Sequence, residues 1–83
     1  MPKPSKREGI HDELIALLLK RRVSVEMSMT RLAEKSGLSL SMISFVERRL
    51  RKPTLETLLR IAEALDVDLW KLLRTATIAA GKA

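Results

Sequence analysis

With 83 residues, 9.4 kDa and 46% apolar content, the chain reads as one small globular domain; a single Phe, a single Trp and no Tyr make its core aliphatic. The absence of Cys and the single His exclude disulfides, thiol chemistry and zinc sites built on thiolates or paired histidines. Sixteen basic residues against ten acidic, a net +6, favour a polyanionic partner, nucleic acid before an anionic membrane.

Residues 1–9 hold Pro2, Pro4, Ser5 and Gly9 among Lys3, Lys6 and Arg7, and read as a flexible basic arm. No signal-peptide pattern follows, and the longest apolar run, Leu14 to Leu19, is too short to cross a bilayer. From Ile10 to about Val25, apolar residues recur at helical spacing as Ile10, Leu14, Leu17, Leu18 and Val25. Met29, Leu32, Ala33 and Ser36 predict a second, short helix capped by Ser28 and stopped at Gly37. A third begins at once, from about Leu40 to Arg48, with Ser39 as its cap and Leu38 and Ile43 placed as a hydrophobic staple. Pro53 breaks the chain, and Thr54 caps a fourth helix carrying Leu58, Ile61, Ala62 and Leu65. Asp66-Val67-Asp68 is a turn, with Asp68 capping a fifth helix through Leu69, Leu72, Leu73 and as far as Ala76. No stretch alternates with period two. The expected fold is all-α, a compact bundle of five helices over residues 10–76, with a C-terminal tail at 77–83.

The second and third helices are joined only by Gly37-Leu38-Ser39, a connection short enough to make a helix-turn-helix. In such a pair the second helix lies in the major groove of DNA and the first crosses the backbone. On the third helix Ile43, Val46 and Leu50 form the inward stripe, leaving Leu40, Ser41, Ser44, Phe45 and Arg48 outside. An outward face carrying Leu40 and Phe45 reads either as a protein contact or as base contact, in which apolar groups meet the thymine methyl and Ser bonds base edges. In the second reading Ser39 and the helix N-terminus bind a phosphate. Residues 47–52 hold four basic residues and one acidic, a net +3. Arg48, Arg49, Arg51 and Lys52 are therefore candidate phosphate contacts, with Arg48 also able to reach a guanine.

Two charges fall on inward stripes: Arg22, after Leu14 and Leu18, and Glu47, four residues beyond Ile43. A buried charge needs a partner, so Arg22 and Glu47 are expected to pair with each other and lock the first helix to the third. Glu47 has no second acid or nucleophile beside it, His11 reads as a solvated residue, and Asp66 and Asp68 are explained by a turn and a cap. No phosphate-binding Gly-rich loop exists, so neither an enzyme, a cofactor nor a metal is expected. Trp70 lies to one side of the fifth helix's stripe, either completing the core or anchoring a dimer. Ile15, Leu19 and Ile78 look like apolar surface that one small bundle does not bury, and Trp70, Val67, Leu73 and Ile78 form the expected interface of a homodimer.

The segments Leu32-Ala33-Glu34-Lys35-Ser36-Gly37-Leu38-Ser39, Ile43-Ser44, Glu47-Arg48, Pro53-Thr54-Leu55, Leu58 and Ile61-Ala62-Glu63-Ala64-Leu65 together resemble the Cro/CI (xenobiotic response element) helix-turn-helix domains of bacterial and phage regulators. The resemblance spans Arg22 to Leu73. It implies a lambda-repressor-like five-helix domain that binds operator DNA as a two-fold dimer. It further implies that the positions of Arg22 and Glu47 pair internally, that those of Leu40, Ser41 and Phe45 read bases, and that Arg48 to Lys52 follows the phosphate backbone. The chain departs from the family at Glu26 and Arg49, where glycine is common, and at Met29, where a glutamine usually helps hold a phosphate. The function so implied is a sequence-specific transcriptional regulator of double-stranded DNA, most simply a repressor acting as a homodimer on a near-palindromic operator, in the bacterial cytoplasm on the nucleoid. Such a regulator acts by occluding a promoter or by activating through contact with polymerase as a partner, and the alternative is an antitoxin that neutralises a partner toxin, or a restriction–modification controller protein. A membrane-surface role does not fit, because the basic residues do not line one face of a long amphipathic helix.

Overall fold

Side-chain hydroxyls open four of the five helices in the computed structural model, which describes residues 5–82. Ser5, Ser28, Ser39 and Thr54 accept from the backbone amides of Glu8, Arg31, Met42 and Thr57, starting α1 (Lys6–Ser24), α2 (Met29–Ser36), α3 (Leu40–Glu47) and α4 (Leu55–Ala64). Each such cap satisfies an amide that the helix itself cannot and contributes about 1 kcal/mol. The last helix, α5 (Leu69–Gly81), differs from expectation at its start. Asp68 occupies the cap position but makes no side-chain cap bond; its carboxylate lies 3.4 Å from Lys71 Nζ instead. No strand occurs among the described residues.

The helix ends follow one local rule. At α1, α3 and α4 the chain leaves the helix through a residue in the left-handed region, Glu26 (φ 56°), Arg49 (φ 59°) and Asp66 (φ 55°). The amides of Glu26 and Met27 return to Val23 and Arg22, those of Arg49 and Leu50 to Val46 and Phe45, and those of Asp66 and Val67 to Glu63 and Ala62. This is the Schellman pattern, which glycine usually serves. α2 makes the same exit through a glycine, Gly37 at φ 73°. Glu26 and Arg49, the two departures from the family at positions where glycine is common, therefore keep the backbone that glycine would adopt.

α5 runs antiparallel along α1. Gly9 meets Ala80 at one end, where a Cβ on the glycine would lie 3.5 Å from Ala80 Cβ. At the other end Arg21 Nε donates to Leu65 O at 3.1 Å. This packing corrects both domain limits. Residues 6–9 are the first turn of α1 rather than part of an arm, and 77–81 continue α5 rather than forming a tail; residues 1–4 and 83 lie outside the described structure. The start of α1 is set locally by the Ser5 cap, whereas the end of α5 gains its stability from contact with α1, which the local sequence does not reveal.

The core gathers Leu14, Ile15 and Leu18 of α1 against Leu32, Ile43, Val46, Ile61 and Leu65, with Ala76 closing the α5 side. Ile15, expected as spare surface, is 1% exposed. Leu50, expected on the inward stripe of α3, is 58% exposed, because the left-handed turn at Arg49 ends the helical register before Leu50 is reached. Val25, the C-cap residue of α1, is exposed as well. Leu73 is also exposed, leaving Leu69, Leu72 and Ala76 as the inward stripe of α5.

Candidate nucleic-acid interface

The Gly37 turn sets α3 across α2, and Arg60 secures it by donating from Nη1 to Ser36 O at 3.5 Å. Ile43 and Val46 anchor α3 in the core at 1% and 2% exposure. Its other face stays open: Leu40 and Ser41 are exposed, while Ser44 and Phe45 are half-buried. Ser39 Oγ accepts from the Met42 amide, which leaves its hydroxyl proton to donate elsewhere.

The basic run divides. Arg48 Nη1 lies 3.4 Å from Ser44 Oγ, so this guanidinium lies along α3. Arg51 Cζ lies over the Phe45 ring, 5.3 Å from its centroid, and Lys52 is exposed beside it. Arg49 points elsewhere, because its left-handed backbone turns the side chain back to α1. There Nη2 donates to Asp12 O at 3.3 Å and Nε sits 3.8 Å from Asp12 Oδ1. Arg49 is thereby separated from Arg48, Arg51 and Lys52, with which sequence reasoning had grouped it.

Arg22 and Glu47 meet at two points, Nε to Oε2 at 2.7 Å and Nη2 to Oε1 at 3.0 Å, and Arg22 Nη1 donates to Met27 O at 2.8 Å. Both side chains are 14% exposed. One guanidinium therefore joins α1, the turn before α2 and the last turn of α3. It also pairs the acidic residue next to the basic run.

A second surface lies at the α4–α5 corner. Leu59, Val67 and Trp70 line an open groove rimmed by Glu63, Asp66 and Asp68. Trp70 is 62% exposed, so it does not complete the core, and Lys71 Nζ lies 5.7 Å from its ring centroid. Leu55 and Leu59, at 66% and 50% exposure, extend this apolar surface along α4. Sequence reasoning missed both, although their positions off the Leu58, Ile61, Ala62 and Leu65 stripe were readable. Leu73 shares the Trp70 side of α5. Ile78, eight positions beyond Trp70 and exposed, lies about two turns further along α5 and about 80° further round the helix. His11, expected in solvent, is half-buried, with Nδ1 3.3 Å from Asp12 Oδ1 and Nε2 buried without a partner. Among the described residues, no helix is long and apolar enough to cross a membrane.

A steep helix pair with an open, basic-flanked second helix defines a helix-turn-helix DNA-binding domain. The helix-turn-helix family model matches residues 18–69, and the chain belongs to that family. It is 48% identical over 48 residues to uncharacterized HTH-type transcriptional regulators from two strains of Mycobacterium tuberculosis, a match covering 58% of this chain. The chain spans about a third of the length of these relatives, 34% of each. Among solved structures it resembles a point mutant of the restriction–modification controller protein C.Esp1396I, at 27% identity and a TM-score of 0.74 over 81% of this chain and 87% of that one.

Proposed function

We propose that the protein is a sequence-specific transcriptional regulator that binds double-stranded DNA with α3 in the major groove, and that it acts in the cytoplasm as a repressor, by occupying a promoter. The observation that carries this reading is the composition of the open face of α3. Leu40, Ser41, Ser44 and Phe45 offer apolar and hydroxyl groups suited to base edges. Ser39, Arg48, Arg51 and Lys52 border that face with phosphate donors. Arg49, held on Asp12, has a bracing role in this reading. The protein acts as a homodimer that sets two α3 helices about one DNA turn apart, roughly 34 Å, on a near-palindromic operator. Its interface is the apolar surface of Leu55, Leu59, Val67, Trp70 and Leu73. In vitro selection from random duplex DNA at near-physiological salt tests this. Enrichment of a near-palindromic motif supports the reading, and salt-sensitive binding without enrichment overturns it.

A second reading is favoured by the likeness to a restriction–modification controller protein, of whose chain this one covers 87%. Here the regulated gene encodes a restriction enzyme or a toxin, and polymerase or that toxin is the protein partner. Capture of purified polymerase by the operator-bound protein supports activation over simple occlusion.

A further inference from the structure

Arg51 and Phe45 are brought together by the way α3 ends. The left-handed turn at Arg49 folds the chain back, and the Arg51 guanidinium comes to rest 5.3 Å from the centroid of the Phe45 ring. A guanidinium has two separate recognition surfaces. Its planar face stacks on an aromatic ring, while its N–H edges donate to a phosphate. Phe45 is half-buried and Arg51 exposed, so the cation–ring contact lies at the open face of α3 rather than inside the core.

We propose that Arg51 is a positioning residue for Phe45: held at its edge by a DNA phosphate, it holds the ring by its face, so that phosphate contact and base reading are coupled. This rests on the reading above that Phe45 touches bases. A ring on an open helix face has alternative rotamers; a cation lying over it removes some of them, and a phosphate that immobilises the cation removes more. Discrimination at the base pair under Phe45 then depends on the shape of Arg51 as well as its charge. Lys52 supplies the internal control. It is basic, adjacent and exposed, whereas the two cation–ring contacts among the described residues belong to Arg51 and Lys71.

The test is a substitution cycle read on two duplexes, one enriched by the unaltered protein from a random pool and a scrambled version of it. Arg51→Lys keeps the charge but loses the planar face. It is expected to lower the ratio of enriched to scrambled affinity by up to about fivefold per protomer, since a lysine keeps some attraction for the ring but not the planar fit. Lys52→Gln is expected to lower both affinities in step and leave the ratio where it was. In a Phe45→Leu background, which keeps apolar bulk and so protects the fold, Arg51→Lys is expected to leave the ratio unmoved. The ring-current shift of the Arg51 guanidinium protons, read by NMR, is expected to vanish in Phe45→Leu. The coupling is overturned if Arg51→Lys alone leaves the ratio unchanged, or if its effect persists in Phe45→Leu. If Phe45→Ala leaves the ratio unchanged, base reading by Phe45 itself has failed. That failure needs no change at Arg51, so the two are distinguishable.

Discussion

The Arg22 guanidinium and the Glu47 carboxylate form a two-point pair, at 2.7 and 3.0 Å, that fastens the last turn of α3 to α1. The third donor of Arg22 holds Met27 O, so the same group also braces the chain where it leaves α1 for α2. Orientation of the open face of α3 therefore depends on a residue that lies outside the helix-turn-helix pair.

Removing one partner leaves the other charge poorly solvated. Glu47→Ala or Arg22→Ala is expected to cost about 3 kcal/mol in urea unfolding, the low end for a buried pair because each side chain keeps 14% exposure. Replacing both by Leu is expected to recover most of that loss. A double variant no more stable than the singles would show that the lost energy lies in specific geometry rather than in an orphaned charge.

The left-handed helix exits carry a strain that glycine relieves. Glu26→Gly, at φ 56°, is expected to stabilise the fold by about 1 kcal/mol, raising Tm by about 4–8 °C. Arg49→Gly gains similarly but gives up the exposed pairing with Asp12, which is worth about 0–1 kcal/mol. Gly37→Ala goes the other way, since its new Cβ meets left-handed strain and lies 3.3 Å from Arg60 Nη1. Thermal melts of the three variants check the order.

Charge and shape at the DNA surface are separable. Phe45→Ala is expected to weaken binding to the enriched operator while sparing binding to unrelated duplex and thermal stability. Equal weakening on both duplexes would make Phe45 structural. Arg51→Ala with Lys52→Ala is expected to flatten the slope of log K against log salt by roughly 0.9 for each phosphate that is no longer neutralised. Arg49→Ala is expected to leave that slope unchanged, because its guanidinium is engaged by Asp12.

Dimerisation through the α4–α5 corner predicts that Trp70→Glu raises the dimer dissociation constant at least about 30-fold, the scale of an aromatic hot spot. Ile78→Glu, on another side of α5, is expected to leave it within a few fold. Sedimentation equilibrium over a range of concentrations distinguishes the two. Equal effects would move the interface away from Leu59, Val67 and Trp70.

Ending the chain after Ala76 removes the turn of α5 that meets Gly9. Despite leaving the five-helix pattern intact, this truncation is expected to lower Tm and to increase amide exchange in the first turns of α1. An unchanged melt would show that α1 and α5 are held together without that turn.

Features resting on local chemistry were legible in the sequence. Ser28, Ser39 and Thr54 cap helices because a hydroxyl at that position satisfies a neighbouring amide, and Gly37 ends α2 because left-handed backbone suits it. The pairing of Arg22 with Glu47 was readable from a rule almost as general, that charges on two inward stripes require each other. The tertiary structure decided whatever depended on a distant neighbour. Residues 77–81 are helical because α5 lies against α1, and no short window contains both; the start of α1 is local by contrast, since Ser5 caps it at the Glu8 amide. Ile15 is buried and Leu50 exposed because burial follows from where helices end and which faces meet, not from hydrophobicity alone. Arg49 leaves the basic run for Asp12 through a single backbone angle. The same turn carries Arg51 onto Phe45, joining residues six positions apart that periodicity had placed in separate roles. Local hydrogen bonds are dictated by neighbours in sequence, whereas the direction of a long side chain after a helix end depends on where the next element packs.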